Sequence, residues 1–176
     1  VPFLESKGLH VLVLGPGDEV PASVRVLLGG PPGDLRSVPL LDDPEAVLLS
    51  AYCRLDRKPG TPGYRQVVFG LDPGKVIGLA VVADGHWLLV GESLSVGDAV
   101  ERVAAWKGGL LAQDWEVHVG AGAPEVGRDL LARLRPRLSS ARVFLVPEEA
   151  TTPGSPVTGS RHTDAAVHIA MRHSLE

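Results

Sequence analysis

Residues 67–82 hold two apolar runs, Val67 to Leu71 and Val76 to Val82, divided by Asp72-Pro73-Gly74-Lys75. An apolar run without alternation reads as a strand buried on both faces, so the chain must fold in layers around it. Asp72 falls where the first strand ends, on the rim of a sheet. A carboxylate held there suits a divalent cation or a phosphate-handling site. Gly74 and Gly78 remove side chains that would obstruct a ligand. The same Asp-Pro-Gly residues also make an ordinary turn with no ligand. On this segment alone both readings stand.

The rest of the chain narrows the choice. Its 176 residues suffice for one domain, or one domain with a substantial extension. No apolar run approaches the roughly 18 residues that span a bilayer. A lone cysteine, Cys53, excludes an intramolecular disulfide and a cysteine-based zinc site. These features predict a cytoplasmic protein without a membrane partner. Asparagine is absent, glutamine is limited to Gln66 and Gln113, and there are 15 prolines, a pattern that leans towards a thermophile. The closing Leu175-Glu176 reads as a tag remnant. A net charge of −4 argues against coating nucleic acid by bulk electrostatics. Arg128, Arg133, Arg135, Arg137 and Arg142 nevertheless cluster, as a phosphate-facing stripe or as a solvated helix face.

Breakers at 59–63 mark a linker between residues 1–58 and a domain over 64–174. Ahead of it the pattern predicts a small β-α-β-α extension. Its parts are a buried strand at 10–14, a helix from about Asp18 or Glu19 to Gly29-Gly30, a strand at 38–41, and a helix capped by Asp43 and running to about Leu55. Such a piece is marginal alone and is expected to pack on the rest. Gly15-Pro16-Gly17 within it resembles a dinucleotide loop only weakly, and a strand-to-helix turn explains it as well.

After the linker, strands at 66–71, 78–83 and 86–93 form a meander, the last two joined by the hairpin signal Asp84-Gly85. A helix at 97–107, a strand at 116–119, a helix at 127–138, a strand at 141–146 and a final helix through Ala165 and Ile169 follow. The expected fold is α/β, a five-stranded mixed sheet flanked by helices. Its first, fourth and fifth strands would run in one direction.

That topology brings Asp72 and Glu148 to one rim, and the last helix can carry Asp164 towards both. Converging carboxylates are what hold paired divalent ions, about 4 Å apart, for phosphodiester cleavage. Hard oxygen donors suit Mg2+ or Mn2+. His162 is a candidate for orienting water or acting as a general acid, or is simply a polar residue of a helix's first turn. His118 reads as structural. Gly120-Ala121-Gly122 opens a helix and offers backbone N–H groups to a phosphate, or is a plain loop.

Gly70-Leu71-Asp72-Pro73-Gly74 with Gly78 and Ala80 resembles the first-strand motif G-[IL]-D-P-G-x-x-x-G-x-A of the ribonuclease-H-like superfamily, in its RuvC and YqgF branches. Pro147-Glu148-Glu149-Ala150-Thr151-Thr152 falls where YqgF-like proteins carry D-E-R-x-T-T. His162-Thr163-Asp164-Ala165-Ala166 is similar to the final-helix aspartate followed by small residues. The resemblance covers about residues 65–173. It implies an RNase H-like fold and a nuclease hydrolysing branched DNA or structured RNA, with a homodimer as a further expectation. Asp72, Glu148 and Asp164 would be the Mg2+ or Mn2+ ligands, His162 a catalytic group, and Arg128, Arg133, Arg135, Arg137 and Arg161 the nucleic-acid contacts. Glu149 stands where the YqgF pattern has arginine. The resolvases' glutamate at the end of strand four is replaced here by Gly120-Ala121-Gly122. A catalytically weak binding protein of the same fold is the alternative expectation. A nucleotide-binding domain of the actin and sugar-kinase group is a third, but those proteins need two such domains.

Overall fold

A computed structural model describes residues 2–31, 34, 36–56, 61, 63–147 and 158–172. The elements are α1 (Pro2–Glu5), β1 (Leu27–Leu28), β2 (Ser37–Val38), α2 (Pro44–Leu55), β3 (Tyr64–Asp72), β4 (Ile77–Ala83), β5 (His86–Ser93), α3 (Val96–Gly108), β6 (Ala112–Gly120), α4 (Pro124–Arg137), β7 (Arg142–Val146) and α5 (Arg161–Met171).

β3 to β7 form one mixed sheet in the order β5-β4-β3-β6-β7. β3, β4 and β5 are antiparallel neighbours, whereas β6 and β7 lie parallel to β3 on its other side. This is the expected α/β sheet with its antiparallel meander, and the first, fourth and fifth strands do run together. Asp84 (φ 46°) and Gly85 (φ 84°) both take positive φ in the β4–β5 hairpin. Two positive φ values match the twist of the flanking strands. The Asp84 carboxylate also accepts from the Gln66 backbone N–H at 2.9 Å, which anchors the turn to the start of β3.

The period of two in β3 divides its side chains between two layers. Val67, Phe69 and Leu71 enter the main core with Leu79 and Val81 of β4, Val117 and Val119 of β6, and the apolar stripes of α2, α3 and α4. Val68 packs with Val82 and Ala170, and Ala80 with Ala166 and Val167, on the face that α5 covers. Three helices thus lie on one face and α5 crosses the other. Burial on both sides explains why β3 and β4 lack a polar alternation.

Side-chain caps set several helix starts, of which the Asp43 cap was expected. The Asp43 carboxylate accepts from the Ala46 N–H at 2.7 Å with Pro44 at the first helical position. Ser95 caps α3 in the same way, and Ser160 caps α5. α4 starts three residues earlier than expected because Pro124 occupies its first turn.

The N-terminal β-α-β-α expectation is corrected. Residues 10–14 form no strand, and Leu12 and Val13 are 58% and 72% exposed. No helix forms between Asp18 and Gly29. Val24, Val26 and Leu28 recur with period two, which suits extended chain, and the short β1 pairs in parallel with β2. The strand expected at 38–41 is limited to Ser37–Val38. Gly15 and Asp18 close a local turn through a 2.6 Å bond from the Gly15 N–H to the Asp18 carboxylate, and no helix follows it. The dinucleotide-loop reading is therefore set aside, and so is the strand-to-helix turn. Only α2 matches its expectation there, and Leu48, Leu49 and Cys53 join the main core. The expected linker at 59–63 falls largely outside the described residues, and the tag remnant at 175–176 entirely so. No helix among the described residues is long and apolar enough to cross a membrane.

Candidate functional site

Asp72 is the last residue of the central strand, paired across to Gly78 of β4. Even-numbered residues of β3 face α5, so its carboxylate rises on the side where that helix lies. α5 begins at this rim. Its His162 brings Nδ1 to 3.7 Å from Asp72 Oδ2, and the two side chains are partly exposed. Arg161, exposed at the first helical position, adjoins the same histidine.

Small residues set this approach. A Cβ on Gly78 would overlap the carbonyl oxygen of His162, and one on Gly70 would overlap that of Ala166. Gly78 therefore admits the helix backbone. This corrects the expectation that its missing side chain clears space for a ligand.

Asp164 lies two residues beyond His162 and is buried. Its Oδ1 accepts from the Thr158 N–H at 2.8 Å and from the Thr158 hydroxyl at 2.6 Å. Through these bonds the carboxylate closes a turn leading into α5, where the Thr163 hydroxyl also donates to the Ser160 carbonyl at 2.9 Å. Asp72 and His162 are thus brought together, and Asp164 belongs to the same helix start with one oxygen already engaged. Glu148 and Glu149 lie outside the described residues. Among the described residues no three His, Cys, Asp or Glu side chains are grouped to hold a metal ion. The carboxylate chemistry of Asp72 and Asp164 suits Mg2+ or Mn2+, but these described donors do not by themselves complete a site.

The arginines divide by position. Arg128, Arg133, Arg135 and Arg137 are exposed on α4, which covers the sheet face opposite α5. The first turns of α4 stand beside the rim, since Gly127 packs near Gly120 and Pro73. Arg133 Nε donates to Asp129 at 2.7 Å, and this bond raises the arginine's pKa. Arg137 pairs with Glu101 of α3, and Arg128 Nε donates to the Pro124 carbonyl. Arg142, on β7, donates to Glu116 at 2.6 Å.

Sequence reasoning read His118 as structural but missed its partner Glu116 and the pair they form. Glu116 and His118 are both buried and joined at 2.9 Å on the α5 side of β6. The signal was present in Glu116-Val117-His118-Val119, where alternation puts the acid and the imidazole on one face. No family model matches this chain, and no curated protein matches its sequence.

Proposed function

We propose that this chain is a metal-dependent phosphodiester hydrolase of the RNase H-like superfamily, in its RuvC and YqgF branches, acting on branched DNA or structured RNA. One observation carries the reading. The central strand of a sheet ordered β5-β4-β3-β6-β7 ends in Asp72, and α5 crosses the same face with His162 3.7 Å from that carboxylate. The first-strand motif adds support. Asp72, Asp164 and Glu148 would hold Mg2+ or Mn2+, which when bound supplies an activated water and stabilises the leaving oxygen. His162 would orient the water or protonate the leaving group. Arg161 and the α4 arginines would contact phosphates.

A second reading has its own observations. Asp164 already serves a turn, Arg133 and Arg137 are paired with acids, and glycine ends β6 where resolvases carry glutamate. These favour a protein of the same fold that binds nucleic acid without cutting it. Labelled four-way DNA junctions and structured RNA, incubated with Mn2+, separate the two. Cleavage that disappears in Asp72→Asn supports the nuclease. Salt-sensitive binding without cleavage under any divalent ion supports the binding protein.

A further inference from the structure

The Glu116–His118 pair is not used by the candidate site, yet it reaches the helix on which half of that site stands. His118 has no exposed surface, and its Nδ1 lies 3.2 Å from the Ile169 carbonyl oxygen in the last turns of α5. Its Nε2 lies 2.9 Å from Glu116 Oε2, while Glu116 Oε1 accepts from Arg142. Phe144 of β7 packs edge-on against the ring. Each ring nitrogen thus faces an oxygen, one on α5 and one on β6, so the ring ties the helix to the sheet.

Gly70 is His118's partner in register on β3. α5 is therefore seated through three backbone carbonyls, those of His162 over Gly78, Ala166 over Gly70 and Ile169 at His118. Spaced by four and three residues, they form one stripe along the helix. The first two are contacts of shape; the third is a directional bond.

We propose that His118 is a positioning residue: joined to Glu116 through one ring nitrogen and to the Ile169 carbonyl through the other, it fixes the seat of α5, and so sets where His162 and Asp164 stand relative to Asp72. The effect on the site rests on the nuclease reading, whereas the clamp itself does not. Among the described residues, the charged groups around the ring include Glu116 on β6 and Arg142 on β7. On α5, His168 is exposed, and at its C-cap Arg172 donates to the Pro147 carbonyl. β3 presents Gly70. Loss of the ring takes a hydrogen-bond partner from the buried end of α5 and loosens the helix.

The test compares amide hydrogen exchange at neutral pH in the wild type, His118→Phe and Glu116→Gln. In His118→Phe the Ile169 carbonyl loses its ring partner, so protection of α5 should fall about tenfold while β3 and β4 hold. In Glu116→Gln the side-chain amide still bridges the ring and Arg142, so α5 should stay protected. Unchanged α5 protection in His118→Phe, or α5 protection that falls only together with β3 and β4, overturns the clamp. Should His118→Phe not fold, the nitrogen-15 spectrum of the wild-type ring decides: a hydrogen-bonded Nδ1–H is expected, and its absence overturns the clamp. Titration with Mg2+ tests the link to the site: affinity should fall with α5 protection in His118→Phe and hold in Glu116→Gln. Affinity indifferent to α5 protection overturns the positioning role. A protein that shows the clamp but binds no Mg2+ overturns both the nuclease reading and the positioning role, and leaves the clamp.

Discussion

Tyr64 opens β3 and reaches back to Asp56, the C-cap of α2, with its hydroxyl 2.8 Å from the carboxylate. Burial first, and that bond second, push the phenol well above its ordinary pKa. The folded protein therefore keeps a proton that the unfolded chain gives up near pH 10. The sign follows from linkage: this contribution is complete below about pH 10 and is lost as pH rises beyond it. Urea unfolding of Tyr64→Phe should show a shallower alkaline loss of stability than the wild type, with both curves nearly parallel below pH 9. Equal slopes above pH 10 would mean that Tyr64 carries none of the alkaline loss. Among the site residues, Asp72 was legible because an acid ending an apolar run has few other places to go. His162 was legible as a candidate, but its approach to Asp72 was not. That approach depends on Gly78, eighty-four residues earlier, admitting the helix backbone. Asp164 was found as an acid; its bonds to Thr158 arise from a turn that no local pattern announces.

Elements with a clear period and a cap are legible in the amino-acid sequence itself. The β3–β5 meander, α3, α4 and α5 each combine an apolar pattern with a punctuating Ser, Pro or Asp-Gly. The N-terminal run Val11-Leu12-Val13-Leu14 shows the limit of that reasoning. A strand forms when partners exist for its backbone and a layer exists for its side chains, and an apolar run announces neither. The α5 interface shows a second limit, since Gly70 and Gly78 look like turn or ligand glycines until a helix lies over them. Gly78→Ala should therefore push the start of α5 off the sheet. A backbone oxygen cannot rotate aside, so an overpacking cost of about 1–3 kcal/mol is expected in urea unfolding. Hydrogen exchange should show the loss at α5 before β3. A fully stable Gly78→Ala protein with unchanged α5 protection would mean that the helix sits higher than described.

At the scale of the whole molecule, the breaker-rich segment at 59–63 invites a boundary that the packing crosses. Leu48 and Leu49 of α2 have no exposed surface and sit in the same core as Val100, Val103 and Trp106 of α3. Glu45 accepts from the Trp106 indole N–H at 2.8 Å and from Arg102 at 2.9 Å, and the Ser50 hydroxyl donates to the Gly109 carbonyl at 2.8 Å. Removing residues 1–58 would take away two buried leucines, each worth about 1.5–3 kcal/mol, and leave the indole N–H without its acceptor at about 1–3 kcal/mol more. That sum is comparable to the roughly 5–15 kcal/mol that holds a domain folded. Removing residues 1–41 instead spares α2 and its Asp43 cap, and loses chain in which Leu12, Val13 and Leu40 are already exposed. The shorter deletion should give a cooperative urea transition near that of the full chain. The longer one should be unfolded or aggregated, by circular dichroism and by size. A residue 59–176 fragment with a cooperative transition would show that the sheet and its remaining helices close their own core. It would also place the domain boundary after α2, where the breakers stand.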